Sequence, residues 1–481
     1  VETKTLNSKE QIMADDNKAI IARLVEKARA AQRQIENYTQ EQIDNVCLSI
    51  AWQTYNDANV HACAKSAVEE TGMGKYEDKV TKHKVKVLGV IKDVMGVKSV
   101  GVIEEDKEKK ITKIAKPVGV VGALTPVTNP TATPSSNAVS ILKGRNAVIF
   151  APHPKGKKSC ALVCGFMREG LRKVGAPEDL IQWIEEPSVE LTNELMRQVD
   201  RVLATGGNPM VKAAYSSGTP AFGVGAGNPV IIVCEDADIK DAAKKIRISK
   251  TFDHATSCSS DNSVVIQKSV FDRVVEALKA EGGYLCTNEE RDRLEKWMWV
   301  ANPKTGQVGL NPKIIATPAK KIADGAGINV PDNTTMLMVM GENPGKGHFS
   351  GEKISPVMAL WTYDKFEEAL EIQRKLTGYT GLGHSCGIFT FNQDYIRTLA
   401  FAAKSSRIMV RQPMAPANGG NFFNGMPSTV SLGCGSWGRN ITSENITWKH
   451  FINTTWVSEP FDPVKPTDEA MWGDFWRRFG K

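Results

Sequence analysis

From Val118 onward the chain alternates short apolar runs with helix-spaced segments, and this limits the fold more than any other feature. Residues 118–124 are apolar with interspersed glycines, 135–143 read as a helix, 147–150 as a second strand and 159–174 as a second helix. A further strand at 180–184 follows, then one at 202–204 that ends in Thr205-Gly206-Gly207, then a helix at 210–216. Strands that alternate with helices predict a parallel sheet covered on both faces. Such sheets bind dinucleotides at the carboxyl ends of their strands. The pattern restarts near Pro229, with a strand at 230–234, a helix at 239–250, a loop over 251–260 and a strand at 263–267. Alternation continues to about residue 408. The expected class is α/β, with two such units in one chain.

The flanks read differently. Over the first 95 residues Ile20, Leu24 and Ala28 repeat at helical spacing, with Lys and Arg opposite. Residues 97–116 carry two β-type runs around a charged tip from Glu104 to Lys110, which predicts a protruding hairpin. Residues 419–438 are rich in Gly, Asn and Ser, too irregular for a core. At 481 residues the chain is long enough for more than one domain.

Composition excludes several classes. The formal charge of +7 is mild, and its densest basic clusters, around Lys107–Lys110 and Lys155–Lys158, read as solvated surface or as a pocket for an anionic ligand. Nucleic-acid binding would want a stronger basic stripe. No run approaches the roughly 20 apolar residues of a membrane span. Residues 1–17 show no apolar signal core, so a cytoplasmic location is expected. The nine cysteines (47, 63, 160, 164, 234, 258, 286, 386 and 434) include no C-x-x-C pair, so no metal site is expected and most should be small buried hydrophobes.

One cysteine stands apart. Thr256-Ser257-Cys258-Ser259-Ser260 sets Cys258 among small polar residues between a helix and a strand. Backbone N–H groups and partial exposure there favour a thiolate, although a structural loop cysteine is the plainer reading. Thr128-Asn129-Pro130 follows the first strand; its amide suits an oxyanion, and Asn-Pro is equally a turn signal. Thr205-Gly206-Gly207 lets a helix N-terminus approach a pyrophosphate, but G-x-G-x-x-G is absent. Glu352 precedes a strand in Gly351-Glu352-Lys353-Ile354-Ser355-Pro356, where it is either a surface carboxylate or a ribose ligand.

The order Asn129, Gly206-Gly207, Cys258, Glu352-x-x-x-Pro356-Val357 resembles the aldehyde dehydrogenase superfamily across residues 18–458. The resemblance implies a Rossmann-type dinucleotide-binding domain (1–96 and 117–228), an α/β catalytic domain (229–445) and a β oligomerisation arm with tail (97–116 and 446–481). It implies that Cys258 is the nucleophile and that Asn129 supplies the oxyanion-hole amide. Gly206, Gly207, Glu352, His153, Pro126 and Thr128 would hold NAD or NADP. A homodimer or homotetramer is the implied assembly.

One departure points to a branch. Hydrolytic members carry a Glu in a Glu-Leu-Gly-Gly-Lys-type motif, and here Gly223 opens Gly223-Val224-Gly225-Ala226-Gly227. Without that base, which contributes typically ~10²–10⁴-fold, water attack on a thioester is slow, whereas a thiol is intrinsically nucleophilic. The segments Leu432-Gly433-Cys434-Gly435-Ser436-Trp437-Gly438 and Gly381-Leu382-Gly383-His384 also resemble the coenzyme A-acylating branch, similar to the aldehyde half of bifunctional aldehyde-alcohol dehydrogenases. Since the sequence ends at 481, no metal-dependent alcohol dehydrogenase half is expected. Arg411, Arg439 and His384 fall at the expected substrate end, where arginine suits an anionic aldehyde. Residues 417–428 and 440–448 look most like acylating members that take sulfoacetaldehyde. Succinate semialdehyde and acetaldehyde stay open, as do a hydrolytic enzyme and a non-catalytic protein of the same fold.

Overall fold

The computed structural model describes residues 8–303 and 305–481; the part of the N-terminal reading that falls on residues 1–7 lies outside them. Two parallel sheets organise the chain. The first has five strands in the order Ile181–Trp183, Ala147–Pro152, Val120–Thr125, Arg201–Thr205, Ala221–Val224. Its two central apolar runs are buried on both faces, as strands covered by helices must be. Helices Ala132–Lys143 and Lys157–Lys173 pack on it, Gln40–Tyr55 and Tyr76–Val94 pack on Ala132–Lys143 in turn, and Ile50, Val87, Ile141, Val121 and Ile149 share one core.

The second sheet has seven parallel strands: Gly283–Leu285, Met336–Met340, Val357–Tyr363, Ser263–Gln267, Val230–Val233, Cys386–Phe389, Ile408–Val410. The two-residue period of a strand divides Val230–Val233 between two cores: Val230 and Ile232 face one, Ile231 and Val233 the other.

The expected hairpin forms from Gly101–Asp106 and Ile111–Pro117, and Ile452–Ser458 adds a third antiparallel strand, from Ile452↔Pro117 to Ser458↔Ile111. Two elements escaped the sequence reading. Helix Val189–Gln198 is capped by Ser188 but buries only Leu191, Leu195 and Met196, too few to set a clear period. Strand Ala221–Val224 is short and carries a glycine. No described helix is long and apolar enough to cross a membrane.

Candidate active site

The chain order of the first sheet reverses between Val120–Thr125 and Arg201–Thr205. At such a switch point the loops diverge and leave a crevice at the carboxyl edge. Pro126, Thr128 and Asn129 leave the first of these strands, Gly206 and Gly207 the second, and His153 follows the neighbouring Ala147–Pro152. All six line one cavity of about 420 Å³.

The second sheet closes that cavity with its opposite edge. Glu352, Cys258 and His384 come from loops that enter Val357–Tyr363, Ser263–Gln267 and Cys386–Phe389 at their amino ends, and all three line the cavity. The site therefore sits between the carboxyl edge of one sheet and the amino edge of the other.

Cys258 is placed by unusual backbone. Asp253, His254 and Ala255 precede it with φ of 52°, 51° and 59°, the left-handed region that costs non-glycine residues about 1–3 kcal/mol each. Asp253 holds this turn. It is fully buried and accepts from Lys75 N (2.8 Å), Lys79 Nζ (3.1 Å), Lys82 Nζ (2.5 Å) and Thr256 Oγ1 (2.7 Å). Burial works to raise its carboxyl, but Lys82 and Lys79 outweigh that and hold it at about 2. From the other side Gly227 abuts Cys258: a Cβ there would lie 1.9 Å from the Cys258 carbonyl oxygen. Gly227→Ala is expected to cost about 1–3 kcal/mol of stability and to lower kcat, because a backbone oxygen cannot step aside as a side chain can. Denaturant melts and initial rates check this.

His384 Nε2 lies 3.2 Å from Cys258 Sγ. In the tautomer with its proton on Nδ1, the ring donates to Ser385 Oγ at 2.8 Å and accepts from the thiol. Burial, then the Arg407 guanidinium, pushes the imidazole down to about 3. Burial, with Glu352 adding to it, pushes the thiol up to about 12. The resting pair is therefore neutral, a thiol against an imidazole free to take its proton. The glycine before this histidine is required: Gly383 has φ of 85°, and a Cβ there would meet the Cys434 carbonyl oxygen at 1.9 Å.

Asn129 Oδ1 accepts from Lys82 Nζ at 3.0 Å, which turns the amide nitrogen away from the lysine. Glu352 is the one carboxylate among the described residues that line the cavity, and burial raises it to about 8.

Two sequence expectations fail geometrically. Arg411 follows strand Ile408–Val410, so it lies at the carboxyl edge of the second sheet, away from the amino edge that forms the site. Its guanidinium donates to Thr390 O and sits 4.6 Å from the Phe391 ring centroid. Arg439 is exposed, just after the turn Ser436–Gly438. Neither lines the cavity, where the sequence placed the anion reader. Gly223 also points elsewhere than expected: a Cβ there would meet Val211 and Tyr215 within 3 Å, and the cavity wall is Val224, Gly225 and Ala226. The sequence reading missed Lys82, Lys86 and Asp253. A signal existed in Lys79, His83, Lys86 and Val90, which follow the i, i+4, i+7 spacing of a buried stripe.

A dinucleotide-type crevice closed by a loop bearing a thiol defines a class: dehydrogenases that work through a cysteine. The chain belongs to the aldehyde dehydrogenase family, which it matches over residues 8–430. It is 62% identical to a sulfoacetaldehyde dehydrogenase of an Acholeplasma species, over 95% of this chain and 94% of that one. An acylating sulfoacetaldehyde dehydrogenase of Bilophila wadsworthia is 54% identical over 96% and 99%. Among solved structures, an acetylating aldehyde dehydrogenase of Geobacillus thermoglucosidasius superposes with a TM-score of 0.90 at 36% identity, covering 95% of this chain and 99% of that one.

Proposed function

We propose that this chain oxidises sulfoacetaldehyde with NAD(P)+ and coenzyme A to sulfoacetyl-CoA. The observation that carries the reading is the neutral thiol–imidazole pair of Cys258 and His384, set in a cavity with Asn129. The names of the acylating relatives supply the acyl acceptor and the aldehyde.

The residues present fit a dinucleotide. Gly206 and Gly207 precede helix Asn208–Tyr215, whose free N–H groups suit a pyrophosphate, and Glu352 and His153 flank the crevice. When bound, the nicotinamide supplies the hydride acceptor. The chain does the rest. Cys258 Sγ bonds to the aldehyde carbon as its proton passes to His384 Nε2. The Asn129 amide and the Cys258 N–H hold the resulting oxyanion. Hydride loss restores the carbonyl as a thioester on Cys258. The thiol of coenzyme A then attacks that carbonyl, and Cys258 leaves and recovers a proton. Gly223 carries no carboxylate, and the cavity wall that follows it, Val224, Gly225 and Ala226, offers water no base.

The expected assay result is a steady rate of NAD(P)H formation only when coenzyme A is present. Without it, about one equivalent per site should form in a burst, followed by a rate lower by ~10-fold or more. Equal steady rates with and without coenzyme A would overturn the acylating reading. Sulfoacetaldehyde should be preferred over succinate semialdehyde and acetaldehyde.

Assembly as a homodimer or homotetramer belongs to the same proposal. Its support is the three-stranded sheet, which leaves Trp456 61% exposed and Val457 42% exposed beside the open strand Ile452–Ser458. A cytoplasmic location is supported by nine cysteines that are all free thiols.

A further inference from the structure

An aldehyde that carries a sulfonate brings a fixed negative charge to the nucleophile. Burying an anion is costly unless a cation meets it. The two arginines lie outside the cavity, so the cation must come from elsewhere. Among the described residues that line it, the side chains carrying an ammonium or guanidinium are Lys82 and Lys86, one turn apart on helix Tyr76–Val94.

Their partners separate them. An ammonium has three protons to donate. Lys82 Nζ meets Asp253 at 2.5 Å, Thr256 Oγ1 at 2.8 Å and Asn129 Oδ1 at 3.0 Å. Its donors are used, and it pairs with the Asp253 carboxylate, which it shares with Lys79. Lys86 Nζ donates to Gly419 O at 2.8 Å and to Gly420 O at 3.2 Å. These are two neutral carbonyls, which leaves a donor over and the charge unmatched.

The seat of Lys86 is built for it. A Cβ at position 419 would fall 2.6 Å from the Thr429 carbonyl oxygen, which cannot step aside, and 2.7 Å from Nζ, so glycine there keeps both in place. Burial and the neighbouring Lys82 push this ammonium down to about 8, while Cys258 works the other way. Such a group gains from an anion placed beside it.

We propose that Lys86 is the sulfonate-binding residue, its ammonium holding the anionic end of the substrate while Cys258 attacks the carbonyl. The assignment rests on the substrate reading above. Lys82 serves a different end, orienting Asn129. The shared chemistry is recognition of an oxyanion, and the phosphates of NAD(P) and coenzyme A offer the same chemistry from another source.

The test separates these sources. Lys86→Met removes the charge at nearly constant size. Its kcat/KM for sulfoacetaldehyde should fall roughly 100-fold further than its kcat/KM for acetaldehyde, mainly through KM. Lys86→Arg keeps the charge and should keep the selectivity within about tenfold. Ethanesulfonate, a sulfonate without the carbonyl, should compete with sulfoacetaldehyde in the wild type and bind at least ~10-fold more weakly to Lys86→Met. Equal losses on the two aldehydes would overturn the proposal, since a lysine that held a cofactor phosphate or only supported the fold would behave so. A wild type without preference for sulfoacetaldehyde would overturn the substrate reading, and this assignment with it, before any variant is made. A preference that survives in Lys86→Met would overturn the lysine assignment alone.

Discussion

Cys258→Ser is expected to lower kcat by roughly 10⁴-fold or more, with the protein folded and NAD(P) still bound. A hydroxyl is a far weaker nucleophile than sulfur unless a strong base assists it. His384, which takes the thiol proton, is too weak a base for a hydroxyl, whose proton is held more tightly: burial and Arg407 hold the imidazole down to about 3. No other thiol substitutes, because the remaining eight cysteines are buried. The expected readout is loss of both the burst and the steady rate of NAD(P)H formation, with cofactor affinity by fluorescence titration within about threefold of wild type. A burst of wild-type size in Cys258→Ser would remove the cysteine from the mechanism.

Asn129→Ala is expected to cost about 10²–10³ in kcat, with little change in KM. The amide works only after the carbonyl oxygen becomes an anion, so the loss falls on the transition state. Lys82 loses one acceptor in this variant but keeps Asp253 and Thr256, so the turn before Cys258 should hold. Pre-steady-state traces should show a slowed burst of full amplitude. A raised KM with unchanged kcat would assign Asn129 to ground-state binding.

The class of fold and the place of Cys258 in the cavity were legible in the sequence, the first from local pattern and the second from the order of the motifs. Apolar runs between helix-spaced segments become parallel strands, whereas the loop around Cys258 is by itself no more than a structural turn and gains meaning from Asn129, Gly206-Gly207 and Glu352 in order along the chain. What depends on strand order and direction was not legible. Arg411 looked like a substrate ligand from its place in the chain, but it leaves its strand at the edge away from the cavity. Gly223 was expected to face the sulfur as a missing base, but its bare face meets Val211 and Tyr215. Lys86 sits in a helix whose lysines look like a solvated face. Only the approach of the glycine carbonyls at 419 and 420, more than 330 residues away in sequence, gives it a role.

The ion pair between Lys82 and Asp253 has a mechanical consequence. Cys258 is covalently part of the second sheet and Asn129 of the first. Relative sliding of two sheets would ordinarily change the distance between groups borne on each. Here the same ammonium grips the turn that carries the sulfur and the amide that answers it. The reacting pair thus shares one mount on helix Tyr76–Val94, where Lys79 adds a second bridge from Asp253 to the Thr128 carbonyl. Any shift of one sheet against the other would therefore have to break this mount before it spoiled the aim of the chemistry.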